Sequence, residues 1–212
     1  MAPDVVSFSA EVTMPRDDAM LPREIACQQI LLEDSSVFSI QWTTLPGRLA
    51  AGVTPAWLLE RYLAYIRGFT CTLIRPRRTG ERVEFCLAGT ARSLISFTAP
   101  RGSREASQES LSLGICGGIL VQSGQRRRGE LAFTVAADEE SVRLTLCLSG
   151  YCPLILGSAT PSPLRKTLYR VTQATLHKVV TIRFLAHIHR ELAGRGGAVK
   201  VVPARVREGE EI

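Results

Sequence analysis

The feature that most constrains this chain is a long periodic segment near its C-terminus, Pro161 to Gly194, reading PSPLRKTLYRVTQATLHKVVTIRFLAHIHRELAG. After Pro163 it holds neither glycine nor proline until Gly194. Ser162 is placed to cap a helix through its hydroxyl, Pro163 suits the first helical position, and Gly194 is placed to stop the run. On a 3.6-residue period Leu164, Leu168, Val171, Thr175, Val179, Ile182, Ala186 and His189 share one face. The second half also alternates. Val180, Ile182, Phe184, Ala186 and Ile188 interleave with Thr181, Arg183, His187 and His189, which is the strand period. The lack of a turn, together with the two caps, favours a single helix.

What precedes this segment reads mostly as strands that need something to pack on. Val5 to Val12 alternates as a first strand, and proline-bounded Pro15 to Pro22 reads as a loop. Arg23 to Glu33 carries Ile25, Ile30, Leu31 and two helix-forming glutamines, which predicts a short helix broken by Asp34-Ser35-Ser36. Val37 to Leu45 alternates as a strand. Thr54 and Pro55 open a helix over Ala56 to Arg67, closed by Gly68, with Trp57, Leu58, Tyr62, Tyr65 and Ile66 as its apolar band. A hairpin is predicted from Phe69–Ile74 and Glu81–Leu87 around a basic turn, Arg75 to Gly80. A strand at Arg92 to Thr98 and a mobile polar loop at Ala99 to Glu109 follow. Ser110 to Gln122 reads as a glycine-interrupted strand, and Ser123 to Gly129 as a second basic turn. The clearest hairpin joins Glu130–Ala136 to Ser141–Ser149, with Leu131, Phe133 and Val135 on one face and Val142, Leu144, Leu146 and Leu148 opposing them.

A run of consecutive strands closed by a long helix is an α+β pattern, not the alternation of a doubly wound sheet. The expected organisation is one α+β domain over residues 1–194. Residues 195–212 then form a tail, either flexible or docked at a sheet edge through Ala198 to Val202.

At 212 residues and 45% hydrophobic content, with a mean hydropathy of +0.09, the chain is long and apolar enough to bury a sizeable core. No apolar run is long enough for a transmembrane segment, and the N-terminal residues lack the basic and apolar regions of a signal peptide, so a cytoplasmic location is expected. Nucleotide and hydrolase signatures are missing: there is no Walker A sequence, no GxGxxG after a strand and no GxSxG elbow. Gly114 to Gly118 is followed by the strand-like Ile119-Leu120-Val121 and reads as a bulge. The six cysteines form no CxxC pair and read as small buried hydrophobes, Cys147 and Cys152 being the one candidate redox pair. The three histidines, His177, His187 and His189, all fall in the terminal segment. On a helix, side chains two residues apart point about 200° apart, so His187 and His189 do not converge on a metal. His189, on the apolar face, reads as a buried, hydrogen-bonded residue. No metal and no cofactor are expected.

The net charge of +6 permits an alternative function as a basic binding or scaffold protein, with nucleic acid, an anionic surface or an acidic protein as partner. The cations concentrate in the terminal helix (Arg165, Lys166, Arg170, Lys178, Arg183, Arg190) and in the turns carrying Arg75, Arg77, Arg78 and Arg126, Arg127, Arg128. Aromatic residues are not interleaved with them for base stacking, and no nucleic-acid motif accompanies them. Solvated turns and a solvated helix face are the preferred reading. A homodimer joined through the apolar patch Val180, Phe184, Ile188 is a further alternative.

The element order, the hairpin ELAFTV…SVRLTLCLS and the helix from Pro163 together resemble the START-like, or SRPBCC, superfamily over roughly Val5 to Gly194. The resemblance implies a helix-grip fold, in which a curved antiparallel sheet wraps a long C-terminal helix and leaves a cavity between them. It further implies binding of a hydrophobic small molecule there, by a carrier, a sensor or a cyclase-like enzyme. The pocket wall would be the inner face of the helix, giving Leu168, Val171, Thr172, Thr175 and Val179 as candidate ligand-binding residues, with the threonine hydroxyls among apolar atoms.

Overall fold

A computed structural model describes residues 23–158, 160–194 and 198–212. The strand expected at Val5 to Val12 and the loop at Pro15 to Pro22 lie outside the described residues.

The first described element overturns an expectation. Arg23–Leu31 is a strand, β1, and every residue in it except Glu24 is buried. A strand covered on both faces loses the polar alternation that marks strands in a sequence, and its glutamines then read as helix formers. Here the glutamines have tertiary partners. Gln28 Nε2 donates to the carbonyl of Arg207 at 2.6 Å, and Gln28 Oε1 accepts from the amides of Val206 and Arg207 at 2.8 and 3.0 Å. From the other face Gln29 Nε2 donates to the carbonyl of Ala174 at 3.2 Å. In the break that follows, Asp34 Oδ1 accepts from the Ser36 amide and hydroxyl at 3.0 and 2.6 Å.

β2 (Val37–Pro46) pairs antiparallel with β1 on one side and with the late strand β9 (Ser141–Tyr151) on the other. Helix α1 (Pro55–Phe69) starts where Thr54 accepts a hydrogen bond from the Trp57 amide at 3.2 Å, with Pro55 in the first turn. Beyond it, β3 (Ile74–Thr79) and β4 (Arg82–Leu87) form a hairpin, turned at Gly80 with φ of +55°. The stretch expected as a basic turn, Arg75 to Gly80, is therefore mostly strand. β3 ends the sheet, and an edge strand tolerates both charge and Pro76.

β5 (Ser93–Phe97) is followed by β6 (Arg101–Glu105), inside the stretch expected as a mobile loop, Ala99 to Glu109. All five residues of β6 are exposed, so no hydrophobic period betrays it. It pairs with β7 (Gln108–Gly117), where the Ser103 and Ser110 hydroxyls meet at 2.7 Å and Arg104 pairs with Glu109. The hairpin expected from the sequence is present as β8 (Glu130–Ala137) and β9, with Leu131, Phe133, Val135, Val142, Leu144, Leu146 and Leu148 all buried.

The terminal segment is helical throughout, so the strand alternative over 179–189 is excluded. It runs as α2 (Pro163–Tyr169), a π-helical turn (Arg170–Ala174) and α3 (Thr175–Ala193). Ser162 caps it by accepting from the Arg165 amide at 3.5 Å, and Gly194 ends it with φ of +76°. Along the sheet the strand order is β10-β1-β2-β9-β8-β7-β5-β4-β3, where β10 is Val199–Pro203. Among the described residues every strand pairing is antiparallel except β1 with β10. β11 (Glu210–Glu211) pairs with the far end of β1, and Glu210 also binds Lys166 and Arg170 of the helix at 2.6 and 3.1 Å.

This curved sheet holds α3 against α1. Tyr62 of α1 meets Phe184 of α3 edge-on at 5.1 Å between ring centroids and Phe133 of β8 at 5.5 Å. Val180, Phe184 and Ile188, considered above as a dimer patch, are instead consumed by this core, at 5%, 0% and 0% exposure. An aromatic cluster joining both helices to the sheet supplies large apolar burial together with edge-to-face ring contact.

Candidate functional site

Between α1, the terminal helix and the β4–β5 end of the sheet lies a cavity of about 150 Å³. Ile66, Phe85, Ile95, Leu148 and Val180 supply most of its apolar wall, and Tyr62, Tyr151 and Tyr169 add ring surface. None of the described residues lining it is Asp, Glu, Lys or Arg. Two side chains bring unspent polarity to it. Gln173 Oε1 and His177 Nε2 are both sealed from solvent and have no hydrogen-bond partner among the described residues. They stand four residues apart, where the π-helical turn gives way to α3, so they share a face of the helix.

The electrostatics of the pocket follow from the burial of its titratable groups. Burial pushes the His177 imidazole down to about 4, so it is neutral near pH 7. Burial likewise raises the phenol of Tyr62 to about 12, with a hydrogen bond to Thr181 acting in the opposite direction. Thr181 in turn donates to the carbonyl of His177 at 3.0 Å. The phenols of Tyr151 and Tyr169 are also pushed up by burial, and Tyr151 donates to the carbonyl of Leu120 at 2.9 Å. Every titratable lining group with a shifted pKa is thus held in its neutral form at neutral pH.

Geometry also fixes the cavity's floor. Gly118, at φ of +112°, lets the chain pass so close to β5 that an added Cβ would lie 2.3 Å from the Leu94 carbonyl oxygen. Leu94, Ile95 and Leu120, all in the wall, are positioned by this approach.

The residues expected from the sequence to form the wall do not line this cavity. Leu168 and Val171 are 47% and 64% exposed, Thr172 and Thr175 face solvent, and Val179 is half-buried. The threonine hydroxyls are occupied within the helix: Thr172 Oγ1 donates to the Leu168 carbonyl at 2.5 Å and Thr175 Oγ1 to the Arg170 carbonyl at 2.7 Å. The phase of the helix explains the difference. At about 100° per residue, the face through Leu164, Leu168, Val171 and Thr175 lies roughly opposite the one through Tyr169, Gln173, His177, Val180 and Phe184. Leucines set the first phase. The large aromatics Tyr169 and Phe184, which are nearly or fully buried, carry the phase that the structure adopts. His177 lies off the leucine stripe for the same reason.

The other candidate groups fall elsewhere. His187 stacks near Tyr65 with ring centroids 5.5 Å apart, and His189 is buried with Nδ1 lacking a partner among the described residues. All six cysteines are free thiols; burial pushes Cys147 up to about 11 and Cys152 upward as well. Several cations are engaged internally: Arg78 with Glu60, Arg128 with Asp34, Arg61 with Glu191, and Arg165 with the Leu156 carbonyl. No helix among the described residues is long and apolar enough to cross a membrane.

A curved antiparallel sheet closed over a long C-terminal helix, with an apolar cavity between them, is a helix-grip arrangement. Among solved structures, the solution NMR structure of CalU16 from Micromonospora echinospora is similar at 15% identity, covering 93% of this chain and 87% of that one with a TM-score of 0.34. The crystal structure of CalU16 gives 14% identity, 82% and 92% coverage, and a TM-score of 0.31. The fold assignment rests on the strand order and helix placement described above rather than on these likenesses. No protein-family model matches the chain, and no curated protein matches its sequence.

Proposed function

We propose that this chain binds a hydrophobic small molecule in the cavity between α1, the sheet and the terminal helix, as a carrier or sensor. The observation that carries this reading is the wall itself: apolar and aromatic side chains, two unpartnered polar atoms and, among the described residues, no charged side chain. Sites for small organic ligands have this character, with apolar surface supplying affinity and a few polar atoms supplying orientation. The START-like resemblance leads to the same function, but fold likeness by itself does not specify a ligand.

The test is direct. Toluene titrated into the full chain with ¹³C-labelled methyl groups is expected to shift the methyl signals of Ile66, Ile95, Leu148 and Val180, which surround the cavity. The exposed methyls of Leu164, Leu168 and Val171 serve as the control. Saturable shifts confined to the exposed set, or no shifts at all, would refute the reading.

A further inference from the structure

We infer that the cavity takes a single uncharged aromatic ring bearing one hydroxyl, a simple phenol, with the hydroxyl seated between Gln173 and His177. This rests on the ligand-binding reading above and specifies the ligand's chemistry.

Size sets the first term. A cavity of about 150 Å³ is the volume at which an apolar protein site accommodates benzene. The ring surfaces of Tyr62, Phe85, Tyr151 and Tyr169 offer edge and face contacts suited to a second aromatic group.

Polarity sets the second term. Gln173 Oε1 is an acceptor. A neutral imidazole presents Nε2 as a donor in one tautomer and as an acceptor in the other. Both atoms are already stripped of water and unpaired, so a ligand that satisfies them relieves a desolvation cost the folded chain carries. With His177 as the Nε2–H tautomer, the pair presents one donor and one acceptor. A hydroxyl complements both, donating to Gln173 and accepting from His177. An aniline, with two donors, would instead match the other tautomer.

Charge sets the third term. A carboxylate entering this wall would meet no Arg or Lys among the described residues, and it would have to shed its hydration. Benzoate is therefore excluded even though its ring fits.

The experiment measures binding of phenol, toluene, aniline and benzoate to the full chain at pH 7, and repeats phenol and toluene on Gln173→Leu/His177→Leu. The unaltered protein is expected to bind phenol at least as tightly as toluene, aniline more weakly than phenol, and benzoate not detectably. In the double variant the phenol hydroxyl is left unsatisfied, so the ratio of phenol to toluene affinity is expected to fall by ~10-fold or more. Retained toluene binding shows that the altered cavity still exists. The unaltered protein gives an independent reading through the imidazole ¹⁵N shifts of His177, which phenol is expected to move and toluene is not. Unmoved ¹⁵N shifts overturn the inference whether or not the variant folds. So does an unchanged ratio, tighter binding of aniline than phenol, or benzoate binding on a par with phenol. Failure of phenol and toluene alike would overturn the ligand-binding reading itself, a result distinct from toluene binding without preference for phenol.

Discussion

Lowering the pH from 7 to 5 is expected to destabilise this protein through His177 in particular. Its imidazole ionises near 4 in the folded chain rather than at the ordinary 6.5, because burial removes water from the charged form. The unfolded chain therefore takes up a proton at His177 first, and acidification favours unfolding. The stability conferred by the neutral, half-buried ring, whose Nε2 is sealed from solvent, is fully present above pH 6.5. It falls as the pH drops toward 4, below which both states are protonated and the loss levels off. At 1.36 kcal/mol per pH unit, the gap from 6.5 to 4 corresponds to about 3 kcal/mol, of which about 2 kcal/mol is lost between pH 7 and 5. The window is clean of the perturbed carboxylates. Asp34 is held at about 2 by its hydrogen bonds from Ser36 and Arg128, and Glu210 is held low by Lys166, so both titrate below it. Burial also lowers His189, with Arg23 adding to the effect, but that residue is common to the two proteins compared. The assay is urea unfolding followed by circular dichroism at pH 7, 6 and 5, on the natural chain and on His177→Leu. The natural chain should lose about 2 kcal/mol more than the variant over this range. Parallel pH dependences would refute the argument that His177 is buried neutral against the cavity.

Two further substitutions test the frame around the cavity. Gly118→Ala places a Cβ against the Leu94 carbonyl oxygen and the Ile95 Cα, at 2.3 and 2.5 Å, on a residue with φ of +112°. It should cost at least about 2 kcal/mol in urea unfolding, and a cost under half of that would mean that β5 and the Gly118 turn do not approach as described. Phe184→Ala removes a fully buried ring that packs against Tyr62 and should cost about 3–5 kcal/mol by thermal or chemical unfolding, with a near-neutral result contradicting its place in the core.

Part of this architecture was legible because the relevant signals are local. The caps Ser162-Pro163 and Thr54-Pro55 act within one helical turn, and the β8–β9 hairpin alternates because one of its faces is buried and the other is not. β6 gave no such signal, since all its side chains are exposed, and β1 gave a misleading one, since nearly all of its are buried. A strand in either condition has no period of two. Its identity is settled by neighbours far along the chain: for β1, by β2, β10 and the carbonyl of Ala174, which receives Gln29.

The terminal helix divides the same way. Its existence and its ends follow from the sequence alone, because capping and backbone preference operate over a few residues. Which face turns inward does not. Leu164, Leu168 and Val171 make as good a stripe as Tyr169, Val180 and Phe184, and a helix by itself has no means of choosing between them. The sheet and α1 choose, because only one rotation places Phe184 against Tyr62 and fills the interior, and that rotation brings Gln173 and His177 to the cavity. The α+β class was therefore written in local pattern, while the identity of the pocket residues was decided by packing across the whole fold.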